Sequence, residues 1–234
     1  MRYLQTAVEH NVSCLEKSMK PEGISRYKLF KIGVESLKNS LRLHFDSILL
    51  YENESYPSSF QLSVLALEEF SKAKSIEHYV WSSEWNDGYP NAKFEQEWLK
   101  LLYLHPSKQW SFVARELYDY SPKFLKFIKD RKLEEKKQNS IYVGLARHKG
   151  GINISSRVST PARIKKQDAI QIISLVNSEF ITVAQRAQEE EPYFEGIPQM
   201  NNIFENNICQ KLLAWPHKSG LKGSGWWKVH GKNN

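Results

Sequence analysis

The sequence predicts an all-α fold, an antiparallel helical bundle carrying a small β-hairpin and an irregular C-terminal extension. Three observations predict it. Apolar residues Phe30, Val34, Leu37, Leu41, Phe45 and Ile48 recur at three- and four-residue steps, the period of an amphipathic helix over about 27–52. Stripes of the same kind return through Leu62, Leu65, Ala66, Ala73, Ile76 and Val80, and again through Ala169, Ile172, Ile173, Val176, Phe180 and Val183. The connections between the first helices are short, and long helices joined by short connections pack antiparallel.

The first helix ends at Asn53-Glu54-Ser55-Tyr56-Pro57, because Pro57 disfavours a helical conformation at Tyr56. Ser58 followed by Gln61 resembles a capping box opening the second helix. Trp85-Asn86-Asp87-Gly88-Tyr89-Pro90 is a dense turn signal that closes it. A third helix runs from about Asn91 with Phe94, Trp98, Leu101 and Leu102 inward, and Pro106 is expected to break or kink it near His105. Helical pattern resumes through Trp110, Val113, Ala114 and Leu117, and Ser121-Pro122 starts a fourth helix that runs into a charged stretch. From Ser140 the period changes to two. Ile141, Val143 and Leu145 alternate, Gly150-Gly151 supplies a turn, and Ile152 and Ile154 alternate again, so a hairpin is expected near 140–156. A long helix follows Pro161. Beyond Pro192 come Pro198, Pro216 and five glycines with little periodicity. The expected organisation is an N-terminal segment (1–26), a bundle domain (27–191) and a basic, aromatic extension (192–234).

Composition narrows the class. Of 234 residues, 41% are hydrophobic and 25% charged, a globular balance and not a disordered one. No apolar run approaches the roughly 18 residues that suggest a bilayer span. With Glu9 and Glu16 in the first twenty residues and no continuous apolar run there, no secretory signal is expected, which implies a cytoplasmic protein without membrane contact. Cys14 and Cys209 are then expected as reduced thiols. The net charge is +7 and uneven: residues 206–234 hold Lys211, Lys218, Lys222, Lys228 and Lys232 with no acid. Lys123 to Lys137 carries seven Lys or Arg against three acids. Such clusters favour anionic partners, nucleic acid first, but a solvated helix face for the second and a flexible tail for the first are the simpler accounts. Trp215, Trp226 and Trp227 among the tail lysines suit either base stacking or a flap tucked on the bundle.

Few residues are suited to chemistry. Positions 62, 66, 69, 73, 76 and 80 share one face of the second helix, and all are apolar or small except Glu69. A carboxylate there needs a partner, and Lys72, three residues on, is placed to be one. His105-Pro106-Ser107-Lys108 sets a histidine at a helix break, able to act as acid, base or RNA contact, or to pack as a satisfied core residue. His44, beside Leu41 and Ile48, invites the bland interpretation. There is no phosphate-binding glycine loop, no Gly-x-Ser-x-Gly elbow, no His-Glu-x-x-His and no zinc spacing, so neither cofactor nor metal is expected.

A long helix and short turn, then Phe60-Gln61-Leu62 leading to Ala66-Leu67-Glu68-Glu69-Phe70-Ser71-Lys72-Ala73, resembles the core of the HEPN superfamily. The later order of His105-x-x-Lys108, Ile141-Tyr142-Val143, Pro161 and a helix starting near Asp168 is similar to its AbiV branch, the bacterial abortive-infection proteins. The resemblance covers roughly 27–190. It implies a helical bundle, commonly a homodimer, acting in anti-phage defence, with RNA or the ribosome as a contact and a phage protein as trigger. Members of the superfamily often cleave RNA without a metal, using an Arg and a His four to six residues apart. No Arg in this chain is followed by a His at that spacing; Arg147 and His148 are adjacent. The positions matching the branch's own motifs are Glu69, Lys72, His105 and Lys108, and these are the expected catalytic residues. His105 and Glu69 would move protons while Lys72 and Lys108 hold the anion. The expected function is a toxic effector that arrests the infected cell by acting on RNA or the translation machinery; the alternative is a non-enzymatic binding or regulatory subunit of HEPN type.

Overall fold

The computed structural model describes residues 23–86, 88–114, 116–145, 147–148, 151–188 and 193–223. The expectations for Cys14, the Gly150 turn position, Trp226, Trp227, Lys228 and Lys232 lie outside them. Helix α1 (Arg26–Glu52) opens where the Ser25 hydroxyl accepts from the Lys28 N–H at 3.3 Å, satisfying one of the free amides of the first turn. After a three-residue connection the chain reverses into α2 (Tyr56–Trp85). Pro57 sits in the first turn of α2, where a missing N–H costs nothing. The helix therefore begins before Ser58, and the expected capping box is not used.

Helix α1 lies along α2 through small residues. Ser40 Oγ donates to the Ala66 carbonyl at 2.6 Å, and Ser59 Oγ donates to the Ser47 carbonyl at 2.7 Å. Buried hydroxyls that bond the facing backbone keep the two helices close without leaving a polar group unsatisfied. Helix α2 is the centre of the bundle. Besides α1 it packs on α3 (Ala92–Leu101) through stacked Tyr79 and Trp98, and on α4 (His105–Ala114) through Phe70 and Phe112. It also meets α6 (Lys132–Asn139) and α7 (Lys166–Gln188). The core joins Leu37, Val64, Leu67, Phe70, Ile76, Val113, Leu133, Ile173 and Phe180, all essentially without solvent exposure.

The break expected near His105 is present, and one helix expected as continuous is divided. The break before His105 falls at Leu102–Leu104, and Pro106 stands in the first turn of α4 rather than inside a helix. The fourth helix is two: α5 (Pro122–Lys129), capped by Ser121, and α6, separated by Asp130 and by Arg131 in the left-handed region at φ 58°. That turn swings α6 back against α2. The hairpin is short: β1 (Arg147–His148) pairs antiparallel with β2 (Gly151–Ile152), with a further bridge between Gly144 and Ser159. Ile141, Tyr142 and Val143 precede it and are exposed.

Over 193–223 the chain is a largely irregular strap holding one short α-helix, α8 (Asn206–Leu213). Phe194, Ile197, Met200, Phe204 and Leu212 of this strap are buried in the bundle core. At Leu221 and Gly223 it is fastened to the turn before α5, where Ser121 N–H donates to the Leu221 carbonyl at 2.9 Å and Gly223 N–H to that of Asp119 at 2.7 Å. Among the described residues no helix is long and apolar enough to cross a membrane.

Candidate active site

Three helices bring their polar faces to one point. From α2 comes Glu68, which has no solvent exposure. From α4 come His105, Lys108 and Gln109, three and four residues apart and so on one face. From α6 come Glu134 and Lys137, again three apart. A fully desolvated carboxylate is tolerated only when its oxygens are matched by donors, and Glu68 is matched on both. Its Oε2 accepts from His105 Nδ1 at 2.6 Å and lies 3.7 Å from Lys108 Nζ. Its Oε1 accepts from Lys137 Nζ and from Gln109 Nε2, each at 2.7 Å. Lys137, itself buried, also donates to Glu134 Oε2 at 2.7 Å, and Gln109 reaches the same oxygen at 2.8 Å. Burial pushes the Glu134 carboxyl up, but hydrogen bonds from Lys137 and Gln138, with the charges of Lys137 and His105, outweigh it and hold the pKa below the ordinary value.

The next residue of α2, Glu69, joins the same cluster. Its Oε2 is 2.7 Å from Lys72 Nζ, and its Oε1 is 3.5 Å from Lys108 Nζ. Three carboxylates (Glu68, Glu69, Glu134) thus face three ammonium groups (Lys72, Lys108, Lys137). The charge is balanced before the imidazole is counted.

His105 differs from the rest in exposure. Its side chain is 47% exposed while the oxygen it binds is buried. A carboxylate accepting from Nδ1 fixes the tautomer, so the second ring nitrogen, Nε2, carries the free lone pair. No described residue hydrogen-bonds Nε2. Exposed Tyr103 and Leu104 precede it, and the Tyr103 ring centroid lies 6.0 Å from Lys72 Nζ. Chemically this is a carboxylate-oriented imidazole beside paired ammonium groups, an arrangement suited to a general base or acid.

Glu68, His105 and Glu134 also bring ligand-capable atoms within 4.8 Å of one another. Lys137 Nζ already lies 2.7 Å from both carboxylates. An ion there would have to displace an ammonium that neutralises the same two charges, so the donor set does not suit a divalent cation.

The four residues expected from the sequence, Glu69, Lys72, His105 and Lys108, do come together. Their order of burial is the correction: Glu68 is the fully enclosed carboxylate, and the Glu69 side chain is 16% exposed. A single apolar stripe is the wrong description of a helix surrounded by α1, α4, α6 and α7, since such a helix is buried on several faces at once. Gln109, Glu134 and Lys137 were not expected. The four-residue step from His105 to Gln109 was available as a signal. For Lys137 there was none, because it ends a basic run that reads as a solvated face. His44 is a core histidine, fully buried and hydrogen-bonded through Nε2 to Asn177 Oδ1 at 2.9 Å, while its Nδ1 has no partner among the described residues.

A family model described as AbiV, of HEPN type, matches residues 28–182, well over half of the chain and all three helices that form this cluster. Neither a curated protein nor a solved structure matches the chain.

Proposed function

Starting from a chain that belongs to the AbiV family of HEPN proteins, and so to abortive-infection defence, we propose that it is a toxic effector that cleaves RNA without a metal. The observation that carries this is the His105–Glu68 pair: a buried carboxylate 2.6 Å from Nδ1 of a half-exposed imidazole. His105 Nε2 takes the proton from a ribose 2′-hydroxyl, whose oxygen attacks the adjacent phosphorus. Lys72 and Lys108 stabilise the charge that develops on the phosphoryl oxygens, and a proton from one of these ammonium groups or from water goes to the departing 5′-oxygen. Glu69, with both oxygens engaged by ammonium groups, is an anchor for those lysines rather than a proton carrier. Glu68 and Lys137 are positioning residues. On this reading the protein works in the cytoplasm as a homodimer, with a phage protein as its trigger.

Inducible expression in a bacterial host tests the proposal through growth and RNA integrity. Wild type is expected to arrest growth with fragmented RNA, and His105→Ala to do neither. If the folded variant arrests growth as wild type does, the cluster only packs the bundle and the activity lies in binding or regulation.

A further inference from the structure

Away from the cluster, where the end of α1 meets the strap, lies a cleft of about 360 Å³. Its walls are aromatic: Phe45 and Tyr51 from α1, Trp215 and His217 from the strap. The Tyr51 and Trp215 centroids are 5.3 Å apart at 73°, those of Tyr51 and His217 5.7 Å at 74°, and those of Trp215 and His217 4.9 Å at 76°. Trp215 and His217 are partly exposed at the cleft, while Tyr51 is buried. The three rings are held in place by a 3.3 Å contact between Tyr51 Oη and His217 Nε2 and by Trp215 Nε1 donating to Ser174 Oγ at 2.8 Å. Rings fixed before binding lose little entropy when a flat ligand settles on them.

The lining holds one lysine and one carboxylate, and Lys166 adds a second ammonium group beside it. Lys211 Nζ lies 5.9 Å from the Phe45 centroid and Lys166 Nζ 5.7 Å from that of Tyr51, while Glu52 is the single carboxylate in the lining. Fixed aromatic faces flanked by ammonium groups match bases joined by phosphates. They do not match a cationic ligand, which the lysines repel. Lys166 also connects the cleft to the cluster: it starts the turn of α7 whose Asp168 holds Lys136 of α6 at 2.6 Å, next to Lys137 beneath His105. Tyr51 touches Tyr56 at the start of α2, and the twelve residues from there to Glu68 rise about 18 Å at 1.5 Å each.

We propose that this cleft is a base-stacking subsite for single-stranded RNA, which holds part of a strand whose scissile bond is placed at His105. The proposal rests on the reading of the cluster as an RNA-cleaving site, but it is tested apart from it. The probe is a 12-nucleotide single-stranded RNA, 2′-O-methylated throughout so that it cannot be cleaved by its own 2′-hydroxyl, titrated with the full chain and followed by fluorescence anisotropy. Lys211 is exposed, so Lys211→Glu leaves the core intact; His217→Ala removes one ring without touching the Trp215 bond. Each is expected to weaken binding about fivefold or more, and Lys211→Glu to lower the salt dependence by about one phosphate contact. Trp215→Phe, which keeps a ring face, is expected to lose less than His217→Ala. Binding within twofold of wild type in both Lys211→Glu and His217→Ala, with circular dichroism unchanged, would overturn the subsite, and so would a wild type that does not bind the probe. Cleavage of unmodified RNA by wild type against His105→Ala reads the other site. Binding that depends on the cleft with no cleavage leaves the subsite standing and removes the nuclease; cleavage with cleft-independent binding does the reverse.

Discussion

Glu68 lies where water does not reach and is held by donors from two other helices, so its neighbours are unequal in what their loss does. His105→Ala removes a partly exposed side chain and leaves Lys137 and Gln109 on the carboxylate. Its expected effect is on activity, a loss of about 10²–10⁴-fold in RNA cleavage, with little change in stability. Lys137→Met is the opposite case. Lys137 neutralises Glu68 and Glu134 together from a site with 1% exposure, so its removal leaves buried charge uncompensated. A loss of about 3–5 kcal/mol is expected in urea denaturation. A Lys137→Met protein as stable as wild type would show that Lys137 is not the buried counter-charge. Glu68→Gln keeps the shape of the side chain but not its charge, and is expected to fold while losing most of the cleavage.

At the scale of the element, α2 explains what the sequence showed and what it hid. Its existence, its length and its neighbour α1 followed from periodicity, because apolar steps of three and four survive whatever surrounds a helix. Which of two adjacent glutamates is buried did not follow, because that depends on α4 and α6 arriving from the far side. The break of α5 from α6 was hidden for a related reason: Arg131 is neither Gly nor Asn, the residues that usually announce a left-handed turn. The pairing of α1 with α7 carries a pH dependence. His44 is buried between them beside Phe180, and burial lowers its pKa to about 4, only partly offset by the Asn177 hydrogen bond. The unfolded chain takes up this proton below about pH 6.5 and the folded chain only near 4, so protonation favours unfolding across that window. Stability from this group is complete above pH 6.5 and falls as the pH drops towards 4, by about 3 kcal/mol at most. His44→Gln is expected to flatten the fall in denaturation midpoint between pH 6.5 and 4; an unchanged slope would assign it to other groups.

Across the whole molecule, the bundle and its strap are one packed body tied by a second buried ion pair. Lys222 of the strap donates to Glu179 of α7, which also accepts from Tyr120 Oη at 3.2 Å. Burial pushes the Glu179 carboxyl up, and the charges of Lys222 and Lys74 with the hydrogen bonds of Lys222 and Tyr120 bring it below the ordinary range. Low periodicity after Pro192 foretold irregular backbone, but not that Phe194, Ile197 and Met200 complete the core, because isolated apolar residues in an irregular segment carry no pattern. Lys222→Ala is expected to destabilise the protein by about 3–5 kcal/mol and to speed proteolysis of the strap, whereas Lys222→Ala combined with Glu179→Gln recovers part of the loss. No recovery in the double variant would mean that Lys222 acts through packing alone. The chemistry at His105 is the claim on which the functional account depends. It is tested most directly by incubating purified wild type, His105→Ala and Glu68→Gln with an end-labelled single-stranded RNA in excess EDTA and resolving the products by length. The expected result is cleavage by wild type that persists in EDTA and is lost in both variants; cleavage that EDTA abolishes, or that survives in folded His105→Ala, would contradict it.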